Sequence, residues 1–423
     1  MLNMNTPLTS PLRISPNGRY FVTGEGQPFF WMGDTAWPFF TVYPMQTALA
    51  YLEKRASQGF NVVQGVLGWS AGTGFERPVP AANEDGQRAW EDDPAHPNPA
   101  FFDRVEKLLL AAKQQGIVLA MLPTWGYYVC EAHVFNEDNA FVYGKFLGER
   151  FKQHPNLVWV SGGDRIPTGR EAEYRALGRG LRAGDGGAHL ITYHPCGWRH
   201  SSQFWQDEDW LDFHMIETWT AWPSVYEAVR SDYGLLPPRP VVLGEGAYED
   251  GPEYPLGPID PLIVRRQAWW AWMGGGFITY GQNCNWREEP RWAEGWDRPG
   301  AGQMSLFKQI VTALPWTQMI PDQGMFASGV SSERTLNTAM RSLDSTCALI
   351  YLSSQCHALV NIDRILAPRV QATLVNPATG ENRNAGLYPT GNDTGETFYQ
   401  WKSQWFSTPG FWQDAILILT GCE

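Results

Sequence analysis

Basic residues are scarce in this chain: 32 lysines and arginines stand against 44 aspartates and glutamates over 423 residues, a formal net charge of −12. So acidic a surface repels phosphate backbones and anionic lipid, which argues against nucleic acid or a membrane surface as the main partner. Long apolar runs are missing too; none reaches the roughly 20 residues that a bilayer-spanning helix needs. Cysteine is sparse, with Cys130, Cys196, Cys284, Cys347, Cys356 and Cys422 scattered and never in CxxC spacing. That pattern disfavours a zinc site or a disulfide framework and fits reduced thiols in a cytoplasmic protein. The opening Met1–Ser10 has neither the basic start nor the apolar core of a secretion leader, which points to the same compartment. A Gly-rich phosphate fingerprint is also missing at the first helix, which weighs against a doubly wound dinucleotide-binding sheet.

What the chain has in quantity is tryptophan, 21 residues. Indole offers a flat apolar face and a single N–H, a surface suited to the C–H faces of sugar rings as well as to filling a large core.

Apolar, β-branched runs alternate with segments of helical period. Strands are predicted at 29–34, 61–67, 117–122, 156–161, 190–193, 213–217, 241–245 and 276–280. Helices are predicted at 45–58, 101–115, 138–153, 170–182, 224–232, 261–273 and 302–314. In the 101–115 segment, Phe101, Val105, Leu108, Leu109 and Ala112 share one face and Gly116 follows as a stop. Eight parallel strands with helical crossovers predict an α/β fold of the (β/α)8 TIM-barrel type over residues 1–317. From 318 to 423 the rhythm changes to short alternating runs, such as Cys347–Leu352, Val370–Val375 and Ala415–Leu419, separated by turn clusters. No helical period intervenes there, which predicts a small antiparallel β-sandwich.

In such a barrel the reactive groups stand at the carboxyl ends of the strands. The polar and aromatic residues that fall there are Asp34, Trp69, Trp125, Asp164, His194, Glu217 with Trp219, Glu245 and Asn283. Two of them share a context: Leu157-Val-Trp-Val-Ser-Gly-Gly-Asp164 and Val241-Val-Leu-Gly-Glu245-Gly each end a buried run in glycine and a carboxylate. A pair of acids on distant strands is what glycosidic cleavage requires: one carboxylic acid protonates the leaving oxygen, and one carboxylate attacks or activates water. Asp164 and Glu245 are therefore the catalytic candidates. Asp34, Trp69, Trp125, His194, Glu217, Trp219 and Asn283 are candidates for substrate contact. For Asp34 a helix cap is an equal alternative, and for His194 a satisfied core histidine. Gly68-Trp-Ser70-Ala-Gly72 spells a nucleophile elbow, but a loop composition follows where that motif needs a helix. The histidines lack the i, i+4 spacing of a helical zinc motif. A carbohydrate substrate with no cofactor and no metal is the expectation.

The motifs also resemble a known family. Leu12-Arg-Ile-Ser-Pro-Asn-Gly-Arg-Tyr-Phe21, Pro28-Phe-Phe-Trp-Met-Gly-Asp-Thr-Ala-Trp37, Gly59-Phe-Asn-Val-Val-Gln-Gly65, the Asp164 segment and Gly244-Glu245 with Tyr248-Glu249 resemble the apiosidase-like glycoside hydrolases over about residues 12–315. The tail resembles the small collagen-binding-type β-domain found behind that catalytic domain. The resemblance implies a retaining mechanism with Asp164 as acid/base and Glu245 as nucleophile. It also implies release of the branched pentose apiose from plant-derived oligosaccharides or glycosides. Another sugar (arabinose, xylose or rhamnose) or a non-catalytic carbohydrate-binding role are the alternatives.

Overall fold

The computed structural model describes residues 6–70, 76–252, 257–391 and 402–423. At its centre is a curled nine-stranded sheet, in chain order β1 Met32–Thr35, β2 Val62–Gly68, β3 Val118–Thr124, β4 Leu157–Gly162, β5 Ile191–His194, β6 Arg199–His200, β7 His214–Glu217, β8 Val241–Glu245 and β9 Phe277–Tyr280. The spatial order is β5-β4-β3-β2-β1-β9-β8-β7-β6. Every pairing is parallel except that of the short β6 with β7. The parallel strands are buried along nearly their whole length, as sheets covered by crossover helices must be.

The main crossovers are α1 Met45–Ser57, α2 Pro99–Gln114, α3 Glu137–Phe151, α4 Glu171–Asp185, α5 Val225–Tyr233, α6 Pro261–Met273 and α7 Pro299–Thr312. In α2 the Asn98 side chain accepts from the Ala100 amide, Pro99 occupies the first turn, and the face predicted from Phe101 to Ala112 is buried. Helices α3 and α4 meet through glycine. A Cβ at Gly144 would lie 2.5 Å from the Leu177 carbonyl oxygen, and one at Gly184 would lie 2.3 Å from that of Lys145. These two helices flank β4, so their close approach helps to seat the strand that carries Asp164.

Two departures from the expected pattern have local causes. Phe29 and Phe30 precede the first central strand. Pro28–Phe29 instead pairs with Phe21–Val22 in a separate three-stranded sheet, where proline at an edge loses no ladder bond. Between β5 and β7, where no helical period was legible, the chain forms β6 and a single helical turn, Ser202–Trp205.

Beyond α7 the chain forms a six-stranded and a three-stranded antiparallel sheet that share an apolar core. Ile350, Ala372 and Leu417 come from the larger sheet, and Val360 and Phe406 from the smaller. This unit is fastened to α6 by a buried ion pair: Arg265 Nη2 lies 2.7 Å from Asp414 Oδ1, and the Tyr351 hydroxyl donates to Asp414 Oδ2 at 2.8 Å. Trp270 Nε1 adds a bond to the Leu336 carbonyl at 2.9 Å. Among the described residues no helix is long and apolar enough to cross a membrane.

Candidate active site

At the carboxyl end of β4 the chain makes a turn that few sequences allow. Gly162, Gly163 and Asp164 all have positive φ, at 90°, 114° and 58°. A Cβ at Gly162 would sit 2.2 Å from the His194 carbonyl oxygen, and one at Gly163 would sit 2.7 Å from the Gly126 amide. The turn is pinned on both sides: the Gly163 amide donates to His194 O at 3.0 Å and its carbonyl accepts from Gly126 N at 3.0 Å. Asp164, a residue with a side chain, is thus held in left-handed backbone conformation, a strain that surrounding structure must impose and that clusters at functional sites. The neighbouring Arg165 turns away. It binds Glu131 and Glu76, the latter at 2.7 Å, and its Nη1 stays 3.7 Å from Asp164 Oδ2.

Glu245 ends β8. The glycines beside it make room for neighbouring protein side chains. A Cβ at Gly244 would lie 2.4 Å from Met215 Cγ, and one at Gly246 would lie 2.4 Å from Gln267 Oε1. Gln64 inside the sheet donates to the Gly244 carbonyl at 2.8 Å, and the Glu245 carbonyl accepts from Thr218 N at 2.9 Å, which fixes the strand end. Glu217 ends the adjacent β7 and is paired in register with Glu245 after a bulge. Beneath the two acids lies His194, fully buried, with Nε2 3.2 Å from Glu245 Oε2 and Nδ1 3.8 Å from Glu217 Oε2.

Asp164, Glu217 and Glu245 open into one cavity of about 520 Å³. Trp37, Trp125 and Trp69 form one wall, an edge-packed row with centroids 5.4 and 5.1 Å apart. Trp198 and Trp219, 5.5 Å apart, also line it, as do Ile166, Tyr248 and Trp286. Acidic groups set in aromatic walls suit an uncharged, hydroxyl-rich ligand with apolar C–H faces. The electrostatics are uneven: burial, then the charge of Glu245, pushes the Asp164 carboxyl up to about 7. Burial, then Asp164 and Glu245, pushes Glu217 well above the carboxylate range. An acid poised near neutral pH can both give and take a proton.

The structure brings Asp164, Glu217, Glu245, Trp69, Trp125 and Trp219 to the cavity, with His194 touching Glu245 from below. Two substrate-contact candidates sit elsewhere. Asp34 is fully buried and saturated, bound to Arg55 Nε, to the Tyr51 hydroxyl and, at 3.2 Å, to Asn285 Nδ2, so it holds the sheet to α1. Asn283 directs Oδ1 at Trp286 Nε1, 3.1 Å away, and so steadies a wall residue without lining the cavity. Ser70 of the elbow-like motif accepts from Arg77 N at 3.2 Å; the following residues 71–75 lie outside the described residues. Sequence reasoning missed Trp37, Trp198, Tyr248 and Trp286. Trp37 and Tyr248 lie two and three residues past strand ends, a signal that was there to use; Trp198 and Trp286 belong to connections without a period. Among the described residues, His194, Glu217 and Glu245 are the one group with metal-ligating atoms close together, all within 4.8 Å.

A curled parallel sheet with Asp164, Glu217 and Glu245 gathered at its carboxyl end in one aromatic cavity fits the glycoside hydrolase class of site. Comparison with known proteins agrees. The model of the apiosidase-like catalytic domain matches residues 15–318, and the chain belongs to that family of glycoside hydrolases. No curated protein matches it in sequence. Among solved structures, it is similar to a glycoside hydrolase at TM-score 0.86 and 24% identity, with 99% of each chain covered. It is also similar to a family 5 glycoside hydrolase from Bacteroides vulgatus at TM-score 0.87 and 25% identity, covering 99% of this chain and 95% of that one. A family 27 β-L-arabinopyranosidase from Geobacillus stearothermophilus shares the fold at TM-score 0.56 and 11% identity, over 93% of this chain and 97% of that one.

Proposed function

We propose that this glycosidase removes a terminal pentose, apiose first among the candidates, from plant-derived oligosaccharides or glycosides, with retention of anomeric configuration. Asp164 donates its proton to the leaving oxygen while Glu245 attacks the anomeric carbon. Asp164 then takes a proton from water as the water breaks the glycosyl–Glu245 bond. The observation that carries this reading is the position of Asp164: one cavity holds it with Glu245, whose charge, second only to burial, moves its carboxyl to about 7. That lets it start the cycle protonated and become the base once Glu245 is esterified and its charge gone. The aromatic walls support a sugar, and the exposed Trp198 beside Trp219 supports a stacking surface at the cavity mouth.

We also read the curled sheet as a closed (β/α)8 barrel, the 1–317 unit, with 318–423 as its accessory sandwich. The two terminal parallel strands approach each other, Asp212 N donating to Ile191 O at 2.8 Å and Thr192 Oγ1 to Phe213 O at 2.6 Å. Six free thiols support a reducing, cytoplasmic setting, where the substrate is a small imported glycoside.

The test is sugar release from apiosyl, arabinosyl, xylosyl and rhamnosyl aryl glycosides, with Glu245→Ala alongside. Apiose release that vanishes in the variant is the expected result. Release of a different sugar, equally lost in the variant, discards apiose and keeps the chemistry. Equal release by both proteins discards the nucleophile.

A further inference from the structure

The cavity floor holds more acid than the hydrolysis reading uses. Glu217 is 3% exposed, lines the cavity, and leaves Oε2 without a hydrogen-bond partner among the described residues. After burial, the groups that act on it most strongly are Asp164, Glu245, Cys196 and Arg165; the His194 ring is 3.8 Å away and Arg199 is its register partner on β6.

Among the described residues neither Arg165 nor Arg199, the register partner of Glu217 on β6 that also lines the cavity, forms an ion pair with it. Arg165 spends its guanidinium on Glu76 and Glu131. His194 Nδ1 lies 2.8 Å from the Pro195 carbonyl oxygen, which can only accept, so that nitrogen carries a proton and donates it there. The face of the ring that remains, Nε2, is turned to Glu245 at 3.2 Å. The ring therefore lies closer to Glu245 than to Glu217, 3.2 Å against 3.8 Å, and makes no hydrogen bond to Glu217. A carboxylate buried without a hydrogen-bonded counter-charge is costly, and such a group keeps its proton instead. Burial and the two neighbouring acids act on Glu217 in that same direction.

We propose that Glu217 is a neutral carboxylic acid in the resting enzyme, and that its O–H donates to the sugar hydroxyl on the carbon next to the anomeric centre. The second half rests on Glu245 being the nucleophile. Glu217 is the cross-strand register partner of Glu245, and oxygens of the two side chains lie within 4.8 Å. A group beside the attacking oxygen stands where that hydroxyl must lie. Hydrogen bonds at this hydroxyl strengthen as the oxocarbenium-like transition state forms. A neutral donor supplies one there without adding a second negative charge beside Glu245.

The first arm of the test needs no turnover. Infrared difference spectra at neutral pH compare Asp164→Asn with Asp164→Asn/Glu217→Gln, both substrate-free and treated with chelator. Loss of a protonated-carboxyl carbonyl band in the double variant is expected. A spectrum without that band overturns the neutral acid, and stoichiometric uptake of Zn²⁺ or Mn²⁺ by the wild type would then identify a cation as what neutralises the site. The second arm uses the aryl glycoside that the wild type cleaves and its analogue lacking the adjacent hydroxyl. Glu217→Ala is expected to lower kcat/KM about 100-fold and Glu217→Gln, which keeps an N–H donor, only about tenfold. The deoxy analogue should be a poorer substrate for the wild type but no worse than the parent for Glu217→Ala. A deoxy penalty that persists in Glu217→Ala overturns the hydroxyl assignment while the infrared result stands. Failure of every glycoside would count against the hydrolase reading and leave the spectra to decide the neutral acid.

Discussion

Asp34 and Asp164 stand at or near the carboxyl ends of strands in one sheet, each with an arginine within reach, and the protein treats them oppositely. Asp34 is enclosed, with Arg55, Tyr51 and Asn285 all bound to its carboxylate. Asp164 is half-buried in a cavity wall, and its sequence neighbour Arg165 is spent on Glu76 and Glu131. Position on the sheet does not separate a structural acid from a reactive one; the allocation of cations does. Where the arginine is committed to the acid, the charge is fixed. Where it is committed elsewhere, burial and Glu245 set the proton affinity, and the acid keeps a chemical use.

The sharpest way to break the comparison is to delete one acid from each side. Glu245→Ala should lower sugar release by about 10⁴-fold or more, the scale of removing a covalent nucleophile, with the melting temperature little changed. Asp164→Asn should cost about 10²–10⁴-fold on glycosides with poor leaving groups and far less on dinitrophenyl glycosides, whose departure needs no acid. Asp34→Ala should do the reverse. Breaking a buried pair costs about 3–5 kcal/mol of stability by denaturant titration, while kcat per folded molecule is retained. Large loss of kcat in folded Asp34→Ala would erase the distinction.

The proton affinity of Asp164 gives a subtler pair of measurements. Its folded value, about 7, exceeds the ordinary 3.8, so the folded state holds a proton that the unfolded chain has released between those values. Stability contributed by this group is therefore full at low pH and falls as pH rises toward 7. Asp164→Asn should melt higher than the wild type at pH 8 and lose that advantage at pH 4. The kcat/KM profile should decline above about 7 as the acid loses its proton. Smallest of all, Trp198→Ala should raise KM roughly fivefold with kcat nearly unchanged, since a stacked ring adds about 1 kcal/mol. An unchanged KM would remove Trp198 from the binding surface.

The parallel sheet was legible because its strands are short apolar runs cut off by glycine, and the Gly-Gly-Asp164 and Gly-Glu245 ends were legible for the same reason. Asp34 was not. Its fate depends on Tyr51 and Arg55, one turn apart on α1, and on Asn285 some 250 positions away, a convergence that no local pattern records. Phe29 looked like part of the first central strand because an apolar run does not say which sheet it joins. Trp198 and Trp286 could not be read because the connections that carry them have no period; the fold alone brings them to the cavity.

Proton NMR of the first sugar released by the wild type tests the Asp164–Glu245 pair most directly. Double displacement through Glu245 requires the initial product to have the anomeric configuration of the substrate, with the other anomer appearing only by later mutarotation. Initial appearance of the opposite anomer would contradict a glycosyl–Glu245 intermediate and make Glu245 the base for a single attack by water.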